Sequence, residues 1–151
     1  MLRSVLVDIS TLEESQIQGM WKVFEKYHAD ISYERFLRDL SSKNHVILLF
    51  ADHKLAGFST IKVFKEKIGN QKITAIYSGD TIIEEAYWGQ TALQREFYNF
   101  LVKTWFLNLD STVYWFLISK GYKTYCLLTR NFAEHWPRHE KATPAFESAL
   151  I

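Results

Sequence analysis

Hydrophobic and polar positions along this chain change period three times. Residues 4–9 alternate as a strand does. Thr11-Leu12-Glu13-Glu14 then reads as a capping box, with Thr11 as N-cap and Glu14 reaching back. Behind it Ile17, Met20, Trp21, Phe24 and Tyr27 recur at helical spacing. A second short helix is expected over residues 32–40, with Phe36, Leu37 and Leu40 facing inward. At residues 45–51 the period breaks into a solid apolar run, Val46-Ile47-Leu48-Leu49-Phe50, the pattern of a buried strand. Asp52-His53-Lys54 is a polar turn, residues 55–65 a second strand of the run and residues 73–86 a third, with a hairpin at Gly69-Asn70. Three consecutive strands on short connections predict an antiparallel meander.

The helical period returns after Gly89, where Leu93, Phe97, Leu101, Val102, Trp105 and Phe106 form one broad apolar face. Thr91-x-x-Gln94 is a second capping box, and Asn108-Leu109-Asp110 closes the helix. Val113-Tyr114-Trp115-Phe116-Leu117-Ile118 is apolar at nearly every position. Such a run after a crossover helix predicts a strand buried on both faces and paired in parallel. Gly121 ends it, a last helix is expected over residues 122–133, and the tail beyond Pro137 is irregular with a helical start at Pro144.

Composition narrows the class. The 151 residues favour one domain with a real core. At 48% hydrophobic and 16% aromatic the chain is too apolar for disorder. Its 18 basic and 17 acidic residues are mixed along the chain, which leaves no basic footprint for nucleic acid. No segment approaches the roughly 20 apolar residues of a membrane span. The apolar start of the chain is cut by Asp8 too early for a signal peptide. A single cysteine, Cys126, excludes an internal disulfide and suits a reducing cytoplasm.

The most informative stretch joins the third meander strand to the following helix. A helix that opens just after a strand presents free N–H groups and its positive dipole end to an anion, so a phosphate-bearing cofactor is an early hypothesis. Ile82-Ile83-Glu84-Glu85-Ala86-Tyr87-Trp88-Gly89-Gln90 runs from an apolar pair through polar residues and an aromatic into that turn. In this stretch, and in its order of strand, two helices, meander, helix, strand and helix, the chain resembles the GNAT superfamily of acyl-CoA-dependent N-acyltransferases over residues 4–133. The resemblance implies a mixed α+β fold: an antiparallel meander, a parallel crossover strand and helices on both faces. It implies one domain over residues 1–151. The family's two closing strands have no counterpart after Ala133, and residues 146–151 look like a helix cut short, which points to truncation at the C-terminus.

The family's pyrophosphate turn reads Q/R-x-x-G-x-G/A, and here it is degenerate. Trp88 stands at the Gln/Arg position, Thr91 and Leu93 stand at the two small ones, and Gly89 is the only glycine. The resemblance implies that Trp88, Gly89, Gln90, Thr91, Ala92 and Leu93 hold the pyrophosphate of acetyl-CoA or a longer acyl-CoA. It implies that the backbone of Ile82 and Ile83 polarises the thioester carbonyl where the strand splays. Asp80 or Glu84 would be the base, Tyr122 or Tyr125 the acid that protonates the departing thiolate, and the acceptor an amine on a small molecule or peptide. A homodimer is compatible with it.

The residues themselves leave plainer readings open. By alternation Asp80, Ile82 and Glu84 share one face, and Ser78-Gly79-Asp80 suggests a bulge of the kind found beside active sites. Glu84 and Glu85 also read as solvated strand-end charges, and the tyrosines as packing residues in a chain with eight. Lys120, Lys123 and Arg130 read as phosphate ligands or as surface charge. His135 and His139 have i,i+4 spacing, but Pro137 between them argues against a metal pair, and no metal is expected. Ser119 and Cys126 lack a nucleophile motif. Two alternatives stand beside an acyltransferase. One is a non-catalytic GNAT-like module that binds a protein partner or small ligand. The other is an unrelated α+β interaction domain, favoured if the last strand runs antiparallel to the meander.

Overall fold

The structure is a computed structural model that describes residues 1–118 and 122–151. Ser119, Lys120 and Gly121 lie outside the described residues, as do the side chains of Lys123, Thr124 and Leu127. The chain falls into two compact units, Met1–Leu117 and Ile118–Ile151.

The first unit holds β1 (Leu2–Asp8), α1 (Glu14–Phe24), α2 (Tyr33–Ser41), β2 (His45–Ala51), β3 (Lys54–Ile68), β4 (Gln71–Ile83), α3 (Ala92–Phe106) and β5 (Thr112–Leu117). The strands lie side by side in chain order. β1, β2, β3 and β4 pair antiparallel, and β5 pairs parallel with β4, from Ile73 opposite Thr112 to Ser78 opposite Leu117. The last strand therefore does not run antiparallel to the meander, the arrangement that would have favoured an unrelated interaction domain. Among the described residues no strand follows β5. The second unit holds α4 (Tyr122–Asn131) and α5 (Ala145–Leu150).

The solid apolar run of β2 has a simple cause: helices cover both faces of the sheet, so both side-chain directions are buried. Ile47 and Leu49 join Ile61, Ile76, Ala92, Phe97 and Phe100 in a core under α3. Val46 and Leu48 join Met20, Val23, Phe24, Phe36, Leu40 and Phe58 in a core under α1 and α2. Met20, Phe58 and Ile76 are fully buried.

Four expectations are corrected. Thr11 does not cap α1. It ends a 3-10 turn over Ile9–Thr11, where the Asp8 carboxylate accepts from the Ser10 amide at 2.9 Å and the Thr11 hydroxyl donates to Asp8 O. That local turn satisfies Thr11, and the N-cap of α1 is Glu13, two residues later, whose amide donates to the Gln16 side chain at 2.9 Å. Thr91 likewise makes no side-chain cap, because its φ of −99° and ψ of 10° are not the extended backbone that aims an N-cap oxygen at the helix amides. β5 is not buried on both faces: as the last strand of the sheet, its residues from Val113 to Leu117 are only half-buried. β4 stops at Ile83 instead of Ala86, where a 3-10 turn over Glu85–Tyr87 takes over.

Candidate functional site

The site begins with one extra residue in β4. Ser59 of β3 pairs with Thr81, and Ile61 pairs with Ser78, so Gly79 and Asp80 together oppose Thr60 alone. A bulge of this kind inverts the alternation of everything after it. Ile76, before it, lies in the core under α3, whereas Ile82, after it, lies in the core under α1 and α2. The two have the same parity, so the inversion is visible in where they pack. Asp80, Ile82 and Glu84 consequently share the α1/α2 face, as alternation within the sequence had suggested. Only glycine fits at 79, since a Cβ there would stand 2.4 Å from Thr60 Oγ1 and 3.0 Å from Lys43 Cε.

Pairing between β4 and β5 also ends here, at Ser78, so residues 79–83 are paired on the β3 side alone. Glu84 N donates to Ala56 O at 2.9 Å, and along a strand the amides alternate sides. The Ile82 amide therefore turns toward β3, and the Ile83 amide turns toward the edge that β5 has left. Of the two backbones singled out in the sequence, Ile83 alone presents its N–H to the opened edge.

The two acids differ in surroundings. Asp80 is half-buried. Its burial, and then the negative charge of the nearby Asp39, push its own carboxyl above the usual carboxylate range, against the pull of Lys43 and His28. Glu84 is engaged by Lys26, whose Nζ donates to Glu84 Oε1 at 2.5 Å. Beside that pair lies a cavity of about 730 Å³, lined by Gly19, Lys22, Phe50 and Leu55 among others.

The turn into α3 is built from side chains that fold back on the protein. The Trp88 indole donates to Ile83 O at 2.8 Å, leaving the ring 65% exposed. The Gln90 side chain accepts from the Leu2 amide at 2.8 Å, which ties the turn to β1. Gly89 takes a φ of 85°, with nothing near the place of its missing Cβ. Ala92 is buried and Leu93 packs on the core under α3, so both side chains point inward. The first intrahelical bond runs from Arg95 N to Thr91 O, which leaves the amides of Ala92, Leu93 and Gln94 without helical acceptors.

The two tyrosines lie on α4, in the second unit. Tyr122 is 74% exposed, and the Tyr125 hydroxyl donates to Pro137 O at 3.0 Å. Among the described residues no group of three or more His, Cys, Asp or Glu side chains is placed to hold a metal ion. No helix among them is long and apolar enough to cross a membrane.

No family model matches the sequence, and no curated protein does. Solved structures do match. An aminoglycoside acetyltransferase from an uncultured soil metagenomic sample, in complex with sisomicin, covers 95% of this chain and 96% of its own at 16% identity and a TM-score of 0.57. The fold is that of the GNAT N-acyltransferases. Glucosamine-6-phosphate N-acetyltransferase from Arabidopsis thaliana shares the GNAT fold at 12% identity, with a TM-score of 0.57 over 95% of this chain and 99% of that one. Aminoglycoside N-acetyltransferase AAC(6')-Iy, in complex with CoA, shares it at 8% identity, with a TM-score of 0.62 over 96% and 95%. At these identities the likeness is one of fold, and the three neighbours are acetyltransferases by name.

The sequence pointed to Asp80 and to the turn at residues 88–93. It did not point to Asp39, Lys43, Thr60 or His28, which surround Asp80. The i,i+4 spacing of Asp39 and Lys43 was a legible ion-pair signal. Nothing local tied that pair to a residue some forty positions further on.

Proposed function

We propose that residues 1–151 form a single GNAT-like domain that transfers an acyl group from acetyl-CoA or a longer acyl-CoA to an amine of a small molecule or peptide. The observation that carries this reading is the opening of β4 from β5 at the Gly79–Asp80 bulge. β4 carries Asp80 and Ile83 along that opening, and the chain then leads into the first turn of α3, whose amides lack helical acceptors.

Acyl-CoA supplies a thioester-activated acyl group. The residues fit its diphosphate: three first-turn amides, the α3 dipole and an unused Thr91 hydroxyl favour an anion, with no inward-reaching side chain in the way. Asp80 takes a proton from the acceptor ammonium, directly or through water, and frees the nitrogen lone pair. Nitrogen then bonds to the acyl carbon. The Ile83 N–H donates to the carbonyl oxygen as negative charge grows there. The carbon–sulfur bond breaks, and the departing sulfur takes a proton from water. Asp80 is preferred to Glu84 as base because Lys26 already occupies Glu84. Structures of the same fold in complex with CoA and with sisomicin support both halves of this reading.

A non-catalytic module that binds a protein or small ligand is the second reading. It rests on Trp88 and Leu93, which depart from the family's turn.

The test is thiol release from acetyl-CoA with a panel of amines, run on the wild type and on Asp80→Asn. Amine-dependent release that falls by about 10²–10⁴-fold in the variant supports the reading. Release that is absent with every amine, or equal in both proteins, contradicts it.

A further inference from the structure

The cavity of about 730 Å³ is lined by α1 on one side and by the turn from β2 into β3 on the other, and its volume falls within the range of small-molecule sites. Its floor is apolar. Val23 is buried, and Phe50 and Leu55 pack on the core under α1 and α2. Gly19 lines it from the middle of α1, a place where glycine weakens a helix. A Cβ there would stand 3.3 Å from Leu55 Cδ2, so the missing side chain lets α1 come close to β3 and keeps the floor open.

The charged groups around that floor do not balance. Lys26 and Glu84 neutralise one another across 2.5 Å. Lys22 and Lys54 have no counter-ion among the described residues, and Glu25 alone opposes the two of them. The transfer chemistry uses neither cation. An apolar floor beside an excess of positive charge is complementary to a molecule that is apolar in its body and negative at one end. We propose that this cavity binds a small organic anion, with its body on Val23, Phe50 and Leu55 and its carboxylate or phosphate held by Lys22 and Lys54. A neutral analogue keeps the apolar contact and loses both ion pairs. A cationic one meets two like charges. The inference does not rest on the acyltransferase reading, because the diphosphate would lie at the first turn of α3 and the organic anion lies against α1.

The test uses benzoate, phenyl phosphate and neutral benzyl alcohol, titrated into the nitrogen-15-labelled full chain and followed by amide chemical shifts. At least one of the two anions should shift the amides of Gly19, Lys22 and Leu55 saturably, with benzyl alcohol about tenfold weaker or more. A response to phenyl phosphate alone assigns a phosphate ligand, and one to benzoate alone a carboxylate. Lys22→Glu and Lys54→Glu should each weaken the anion by about tenfold. Lys103→Glu makes the same change of net charge on α3 and should leave the affinity within about twofold. The amide spectra report whether each variant is folded; if Lys54→Glu disturbs the turn, Lys22→Glu decides alone. No saturable shift with either anion overturns the proposal. So does an equal affinity for benzyl alcohol, or an affinity that Lys22→Glu leaves unchanged or Lys103→Glu lowers just as much.

Discussion

Asp80 and Gly79 are the residues on which the site turns. A carboxyl held above its usual range binds its proton more tightly in the folded chain than in the unfolded one. Its contribution to stability is therefore present at low pH. It is lost as pH rises from the ordinary carboxylate range through the folded value. Asp80→Asn should accordingly raise the melting temperature at neutral pH, and the gain should vanish below about pH 4, the ordinary Asp value. Calorimetry of both proteins across that range checks the sign; a gain that persists unchanged in acid contradicts it. Gly79→Ala places a methyl against the Thr60 hydroxyl inside a packed bulge and should cost about 1–3 kcal/mol in denaturant unfolding. The conjunction Ser78-Gly79-Asp80 made the bulge legible in the sequence. The charged neighbours were not legible, because Asp39 and Lys43 come near Asp80 only once α2 has packed on the sheet.

Among the elements, β4 does the most. From Ile73 to Ser78 it is paired on both sides, and beyond that on one. Hydrogen exchange should separate the two regimes: the Ile83 amide, turned to the open edge, should exchange markedly faster than that of Ile82. Equal protection of the two would remove the opened edge from the account. Strand and helix types were readable because the periods are strong, and His45–Ala51 ends where the apolar run ends. The capping boxes misled because a side-chain cap needs a backbone conformation as well as a residue type. Thr11 was taken by the Asp8 turn, and Thr91 has the wrong φ and ψ. The all-apolar character of β5 suggested cover on both faces, but its place at the end of the sheet leaves it half-buried.

For the molecule as a whole, the parallel β4–β5 pair separates the GNAT fold from an antiparallel α+β sheet, and likeness to solved N-acetyltransferases agrees with it. Element order was sufficient to anticipate that fold. The acceptor was not legible, because the groups that would face it come from α1, α2 and β4, and their side chains converge only in three dimensions. The central claim is that the first turn of α3 binds the diphosphate of an acyl-CoA. A thermal-shift titration with CoA, acetyl-CoA and a long-chain acyl-CoA tests it, with Thr91→Glu as the control that places a carboxylate at the same turn. The account predicts a dose-dependent rise in melting temperature, about 2.7 kcal/mol of stabilisation at a hundredfold excess over Kd, that Thr91→Glu abolishes. A flat response to all three from folded protein, or a rise that survives Thr91→Glu, would contradict it.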